Sequence, residues 1–321
     1  MSVSMSDRTV RLLAGPELLG YFFNWSLLGV LNVQVYLYHV TFPRDPIFLQ
    51  CLVYGVLIFE WIQTGLLTAG SFEIFVYQYG DFEALTKIYN GWFCLPVMCA
   101  MVSMVVQWFF AWRIYLLSKI RVLVGVIVTL SLLQGICGIV TGVQLKNLAS
   151  TADVFSDSSV LTVIIIWLAG GSLVDITIAV TMTILMVKRK TGIRKTDMVV
   201  NKIIRLVVET GTLTASFAIF AIILALAFPG TLYYEPAIHS LAKLYSNTFV
   251  TNLLNRAFLN GVHHPNGSST LGHISLALTP AAPDAEGAQE SGSVSGELGG
   301  DRSVVYPIQK LGGFVLDKPS V

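Results

Sequence analysis

Four ionisable side chains stand inside stretches that are otherwise apolar: Glu60, Asp175, Glu209 and Lys243. On insertion scales such a group costs about 2.5–3.5 kcal/mol at the centre of a bilayer, so it has to face other helices and find a partner. Neutral polar residues extend the pattern at helical spacing. Glu60, Gln63, Thr64 and Thr68 form one stripe, Glu209, Thr212 and Ser216 a second, and Ser240, Lys243 and Asn247 a third. An earlier stretch adds Asn24, Asn32, Tyr36 and His39. Converging stripes of this kind line a ligand cavity, relay protons or ions, or peg helices together through hydrogen bonds.

Other chemistry is missing from the sequence. A hydrolytic metal site inside a membrane needs several His or Asp ligands, and the apolar segments hold only His39 and His239, near segment ends on opposite sides. No HExxH, GxSxG or phosphate-binding loop is present. A lysine on a last helix invites comparison with a retinal Schiff base, which wants a mid-membrane position. Lys243 lies too shallow for that, and Lys243-Leu244-Tyr245-Ser246-Asn247 does not read like the opsin pattern. The acidic-Arg-Tyr triplet that ends the third helix of rhodopsin-like receptors is replaced by Trp112-Arg113-Ile114-Tyr115. The expectation is a protein that is not an enzyme, with no metal and no cofactor.

The elements that position these groups follow from composition. Hydrophobic residues make up 54% of the 321 and charged residues 12%, about half the charge of a soluble domain. Mean hydropathy is +0.70, and a net charge of +1 leaves no basic stripe for nucleic acid. A spanning helix needs about 20 mostly apolar residues. Seven segments qualify, near 18–40, 47–70, 92–117, 121–145, 160–187, 203–228 and 237–259. The expected fold is therefore all-α, an integral membrane bundle of seven helices over residues 17–260. The seventh is the weakest of these by hydropathy, since it carries Lys243, Asn247, Asn252 and Asn255. Residues 1–16 have no apolar core of signal-peptide length and read as a short exoplasmic tail. Residues 261–321 are rich in Gly, Ser, Pro and Ala and read as a disordered cytoplasmic tail.

Lysine and arginine set the orientation. The first, third and fifth loops carry Arg44, Lys119, Arg121, Lys188, Arg189, Lys190, Arg194 and Lys195, against Lys87 and Lys146 in the even ones. The N-terminus is expected outside and the C-terminus inside. On that topology Glu60 and Lys243 fall at similar depth in the outer half, roughly 20 Å above the inner edge and 9 Å below the outer one at 1.5 Å per residue. A Glu60–Lys243 pair is expected there. Asp175 and Glu209 are expected to cluster in the inner half with Arg113, Arg205 or Arg256.

Gly138-Ile139-Val140-Thr141-Gly142 and Gly211 to Ala215 place small residues for close helix packing. Trp92 and Trp112 are interface anchors near the two ends of the third helix, and Pro96 is a candidate kink. Cys51, Cys94, Cys99 and Cys137 lie in apolar segments, so no disulfide is expected; Cys51, near a boundary, is a candidate for palmitoylation.

Several short stretches in a fixed order carry a resemblance. They are Gly29 to Tyr38 with Gln34-Val35-Tyr36, the Trp112-Arg113-Ile114-Tyr115 end of helix three, Asp175 to Gly192, Glu209-Thr210-Gly211, and Lys243 through Leu254-Asn255-Arg256. Over roughly residues 15–260 the chain resembles a family of seven-helix proteins of basidiomycete fungi filed as domain of unknown function 6534. That resemblance implies fold and topology and no activity. It also marks Asp175, Lys243, Asn247, Asn255 and Arg256 as candidates for interior contacts, while Glu60 rests only on the physical argument.

Three functions fit. A receptor or sensor would bind a ligand with its polar interior and meet a cytosolic partner, or anionic lipid, at the basic run Lys188 to Lys195. A transporter or proton pathway would use Glu60, Asp175, Glu209 and Lys243, although no internal repeat or paired helix interruptions accompany them. A structural scaffold would need no ligand. All three have the lipid bilayer as a partner. The oligomeric state and the particular membrane are open.

Overall fold

A computed structural model describes residues 7–81, 83–148, 154, 157–188 and 194–263. The chain divides into two units, Met1–His273 and Ile274–Val321, and every described residue belongs to the first. Among the described residues there are seven long helices and no strand: α1 (Asp7–Thr41), α2 (Ile47–Phe72), α3 (Met98–Ser118), α4 (Arg121–Lys146), α5 (Ser158–Lys188), α6 (Arg194–Ala227) and α7 (Glu235–His263). The first six contain stretches long and apolar enough to cross a membrane. α5 has 31 residues, about 46 Å at 1.5 Å each, so it crosses a core of about 30 Å with tilt or overhang.

α1 starts well before the expected residue 18. Arg8, Arg11 and Glu17 limit how deep the chain sits in lipid without stopping a helix, and a hydropathy criterion reads only the first of these. The helix even runs through Pro16, whose missing N–H costs one ladder bond. The expected tail 261–321 falls, from residue 264 on, outside the described residues, as do residues 1–6.

Short connections explain why neighbours in sequence are neighbours in space. Tyr38, fully buried, donates to Asp45 Oδ2 at 2.8 Å and so closes the turn between α1 and α2. Lys119 adopts φ 55 to end α3, and its N–H bonds the carbonyl of Tyr115. At the start of α5, Asp157 Oδ1 accepts the N–H of Ser159 at 2.9 Å and its hydroxyl at 2.6 Å. Those two bonds hold the Asp157 carboxyl below its ordinary range. Pro96 sits in a π turn, Phe93–Val97, directly ahead of α3; the kink expected at this proline is a widened turn.

The helices follow one another around a ring, α2 meeting the π turn ahead of α3 and α7 closing onto α1, with α3 also touching α5 and α7, and α7 also touching α2. α7 is enclosed on all sides: every residue from Leu241 to Val250 is buried. This is why it could be the least apolar of the seven and still belong in the bundle. Its polar side chains face protein rather than lipid.

One part of the interior is apolar. Leu28, Leu31 and Val35 of α1 meet Val102, Val106 and Phe109 of α3, Ile178 and Met182 of α5, and Phe249 and Leu253 of α7. The Phe109 and Phe249 rings pack edge to face at 4.9 Å. Gly138 and Gly142 of α4 are packing positions inside the bundle. A Cβ at Gly138 would stand 2.6 Å from the Ala100 side chain, and one at Gly142 2.8 Å from the Trp92 carbonyl oxygen.

Candidate functional site: a locked polar core beneath a cavity

Helical periodicity brings Glu60, Gln63 and Thr64 onto the face of α2 that meets α7, where all three are buried. The ammonium of Lys243 pairs with Glu60 Oε2 and also donates to Gln63 Oε1 at 2.7 Å and to the Glu60 carbonyl at 3.3 Å. All three of its N–H groups are thereby used. Ser246 donates to Glu60 Oε1, and Gln63 Nε2 donates to the Cys94 carbonyl in the π turn at 2.7 Å. One turn higher, Thr64 donates to Asn24 Oδ1 at 2.8 Å, and Asn24 donates to the His239 carbonyl at 3.0 Å. The pair is fully buried, and each of its charged atoms has partners. That arrangement locks α2, α7 and the π turn together.

A second polar cluster surrounds Asp175 on α5. Gln107 Nε2 of α3 donates to its Oδ1 at 3.0 Å, while Thr214 of α6 and Tyr245 of α7 donate to Oδ2 at 2.8 and 2.7 Å. The orientation of the Gln107 amide follows from its other end, where Oε1 accepts from Ser131 at 2.7 Å and from Gln134 at 3.2 Å. Neutral donors from three helices therefore converge on one carboxylate of a fourth. A bond to a charged acceptor contributes about 1.5–3 kcal/mol, so Tyr245→Phe is expected to lower stability by about 2 kcal/mol. Thermal unfolding of the purified protein checks this, with Tyr233→Phe, on the loop before α7, as the neutral comparison.

Several expected placements change. Glu209 does not join Asp175: it is exposed and pairs with Arg205 on its own helix at 2.6 Å. Thr212 and Ser216 are exposed with it, so this stripe faces outward. The inward face of α6 is instead Gly211, Thr214, Ala215 and Ala218, small residues that let α5 approach. A polar stripe reports a face and not its direction, and on α6 the smaller residues went inside. On α1 only Asn24 is interior; Tyr36 and His39 are exposed, His39 Nδ1 lying 2.8 Å from the Tyr54 hydroxyl. Among the described side chains no arginine joins Asp175. Arg113 bonds Asn252 instead. Asn247 donates to the Leu27 and Lys243 carbonyls at 3.1 and 2.7 Å. Asn255 is half-buried. The side chains of Arg256 and of Arg189 to Lys195 lie outside the described residues.

At the end of the bundle that carries the starts of α1, α3, α5 and α7, the helices part around a cavity of about 120 Å³, measured as the space open to the centre of a water molecule. Its walls are mostly apolar, with Leu67, Ile74, Leu85, Leu95, Trp167, Leu168, Ala225 and Leu232 among them. Glu17, Tyr21, Tyr234, Glu235 and His239 supply the polar groups. Tyr21 donates to Glu17 Oε1 at 3.2 Å, and its ring meets that of His239 edge to face at 5.0 Å. His239 Nδ1 lies 2.9 Å from the Glu235 carbonyl and 3.0 Å from its Oε2. Burial, aided by the neighbouring carboxyls of Glu235 and Glu17, raises the Tyr234 phenol well above its ordinary range, so it stays neutral. Neither Glu17 nor Glu235 was among the expected site residues. The signal lies in the i, i+4 spacing of Glu17 with Tyr21 and of Glu235 with His239, at positions that hydropathy assigns to segment ends.

Among the described residues no group of three or more His, Cys, Asp and Glu side chains has the placement to hold a metal ion. All four cysteines are free.

These features define a multi-pass helical membrane protein with a polar interior. Residues 171–258, from the middle of α5 into α7, match the model of a family of unknown function, DUF6534. The family resemblance read from the sequence is borne out over that stretch, which contains Asp175, Thr214, Lys243, Tyr245 and Ser246. No curated protein and no solved structure matches the chain.

Proposed function

We propose that this protein is a receptor- or sensor-like membrane protein, without enzymatic activity, whose ligand occupies the cavity between the starts of α1 and α7. The observation that carries the reading is the contrast between the two polar regions. The Glu60–Lys243 and Asp175 clusters are saturated with partners, as structural pegs are. The cavity keeps buried polar atoms of Glu17 and His239 without any partner, as a site awaiting a ligand does. The saturation also speaks against a proton or ion pathway through Glu60 and Lys243, because a relay needs a partner that can be exchanged. With the N-terminus outside, as the loop charges favour, the cavity faces the exoplasmic side. The basic run Lys188 to Lys195 then meets a cytosolic partner or anionic lipid.

Fluorine NMR of fluorobenzyl alcohol with the full chain in lipid nanodiscs tests this. A protein-dependent resonance, absent from empty discs and lost in Ala225→Phe, is the expected result. A spectrum unchanged by the Ala225→Phe side chain, which would fill the cavity, overturns the reading.

A further inference from the structure

The unpaired atoms state the chemistry of the occupant. Glu17 is 8% exposed and His239 3%, and both line the cavity. Glu17 Oε2, Glu235 Oε2 and His239 Nε2 are buried without a hydrogen-bond partner, and Glu235 Oε2 faces His239 Nδ1 at 3.0 Å as an ion pair when the ring is protonated. Their other atoms are committed: Glu17 Oε1 accepts from the Tyr21 hydroxyl, and His239 Nδ1 faces the Glu235 carbonyl at 2.9 Å. A carbonyl oxygen only accepts, so Nδ1 carries a proton. Two carboxyl oxygens, Glu17 Oε2 and Glu235 Oε2, are therefore buried acceptors on one cavity and ask for donors. Leaving such atoms unpaired is costly.

We infer that the cavity binds a primary ammonium carried on a small apolar body, an alkylamine or arylalkylamine. This rests on the reading of the cavity as a ligand site. One hydroxyl brings a single hydrogen and can satisfy only one of the two acceptors. An ammonium brings three, and its positive charge suits a cavity edged by the carboxyls of Glu17 and Glu235 with His239 between them. The aromatic rings of Tyr21, Tyr89 and Trp167 line the same space and favour an organic cation over a bare one. The walls of Leu67, Leu85 and Leu168 take the apolar remainder. Gly20 belongs to the arrangement, because a Cβ there would stand 3.0 Å from Cγ and Nδ1 of His239 and displace the ring.

The test compares three probes of one shape on the full chain in nanodiscs: phenethylamine, phenylethanol and the N-trimethyl analogue of the amine, which has charge but no N–H. Isothermal titration reads affinity. Phenethylamine is expected to bind about 10- to 100-fold more tightly than either analogue, the factor a charge-assisted hydrogen bond supplies. Glu17→Gln should remove most of that difference. Equal binding of amine and alcohol, or an amine affinity indifferent to Glu17→Gln, overturns the inference and leaves ordered water as the partner of both atoms. If Glu17→Gln fails to fold, the three-probe comparison on the native chain decides alone. Should all three probes bind alike and all be lost in Ala225→Phe, the ligand site stands and the ammonium falls. If none binds, both fall.

Discussion

Lys243→Met is expected to destabilise the protein by about 3–5 kcal/mol, the cost of leaving a buried charge without its partner. Glu60 is fully buried, and Lys243 supplies its only opposite charge among the described contacts. Removing the ammonium also strips Gln63 Oε1 of its donor. The double substitution Glu60→Leu with Lys243→Met should recover much of the loss, because the buried pair stabilises chiefly against its own halves and little against an apolar replacement. Thermal or denaturant unfolding of the four corners of the cycle reads the coupling directly. Additive losses would mean that the two side chains do not form a pair.

Gly142→Leu is the second large effect. A Cβ at this position would already stand 2.4 Å from the Val97 side chain and 2.8 Å from the backbone oxygen of Trp92. The oxygen is fixed, because it lies at the entrance to the π turn, so α4 has to move away from that turn. Overpacking of a well-filled interface costs about 1–3 kcal/mol and occasionally more, and a clash with backbone puts this case at or above the upper end. Gly125, on the same helix with nothing within 4 Å of its Cβ position, should tolerate leucine with little change. The pair of variants also separates two uses of the GxxxG spacing. If Gly142 served dimerisation, leucine there would alter the mass of the particle and leave the unfolding of the monomer untouched. Size-exclusion with light scattering beside thermal unfolding distinguishes the two.

Much of the fold was legible because a bilayer reduces the problem to length and hydropathy. Six of seven helices announce themselves that way. The meeting of Glu60 with Lys243 was also legible, since helical rise and alternating direction convert sequence position into depth. What hydropathy could not convey was the direction of a polar face. Glu209 and Asp175 look alike in an apolar stretch, yet Glu209 escapes outward by pairing with Arg205 four residues away. Asp175 has no cation four residues away on α5 and takes its donors from α3, α6 and α7. Neutral polar residues were the larger loss. Gln107, Gln134 and Thr214 build the setting of Asp175, and a reading led by ionisable groups passes over them. The cavity was invisible for a third reason: its polar atoms sit at helix starts, where Glu17 and His239 resemble ordinary boundary residues.

The enclosure of α7 has a consequence for how the protein is made. The other six helices each hold a stretch apolar enough to leave the translocon for lipid on their own account. α7 offers lysine, serine, threonine and asparagine along the faces that end up buried, and lipid alone is a poor host for them. Its entry depends on acceptors that the earlier helices have already presented: Glu60, Gln63 and the carbonyls of Leu27 and Glu60. Biogenesis therefore ends with a plug drawn into a prepared socket. A lesion in α2 far from the last helix would show itself as a seventh segment stranded outside the membrane.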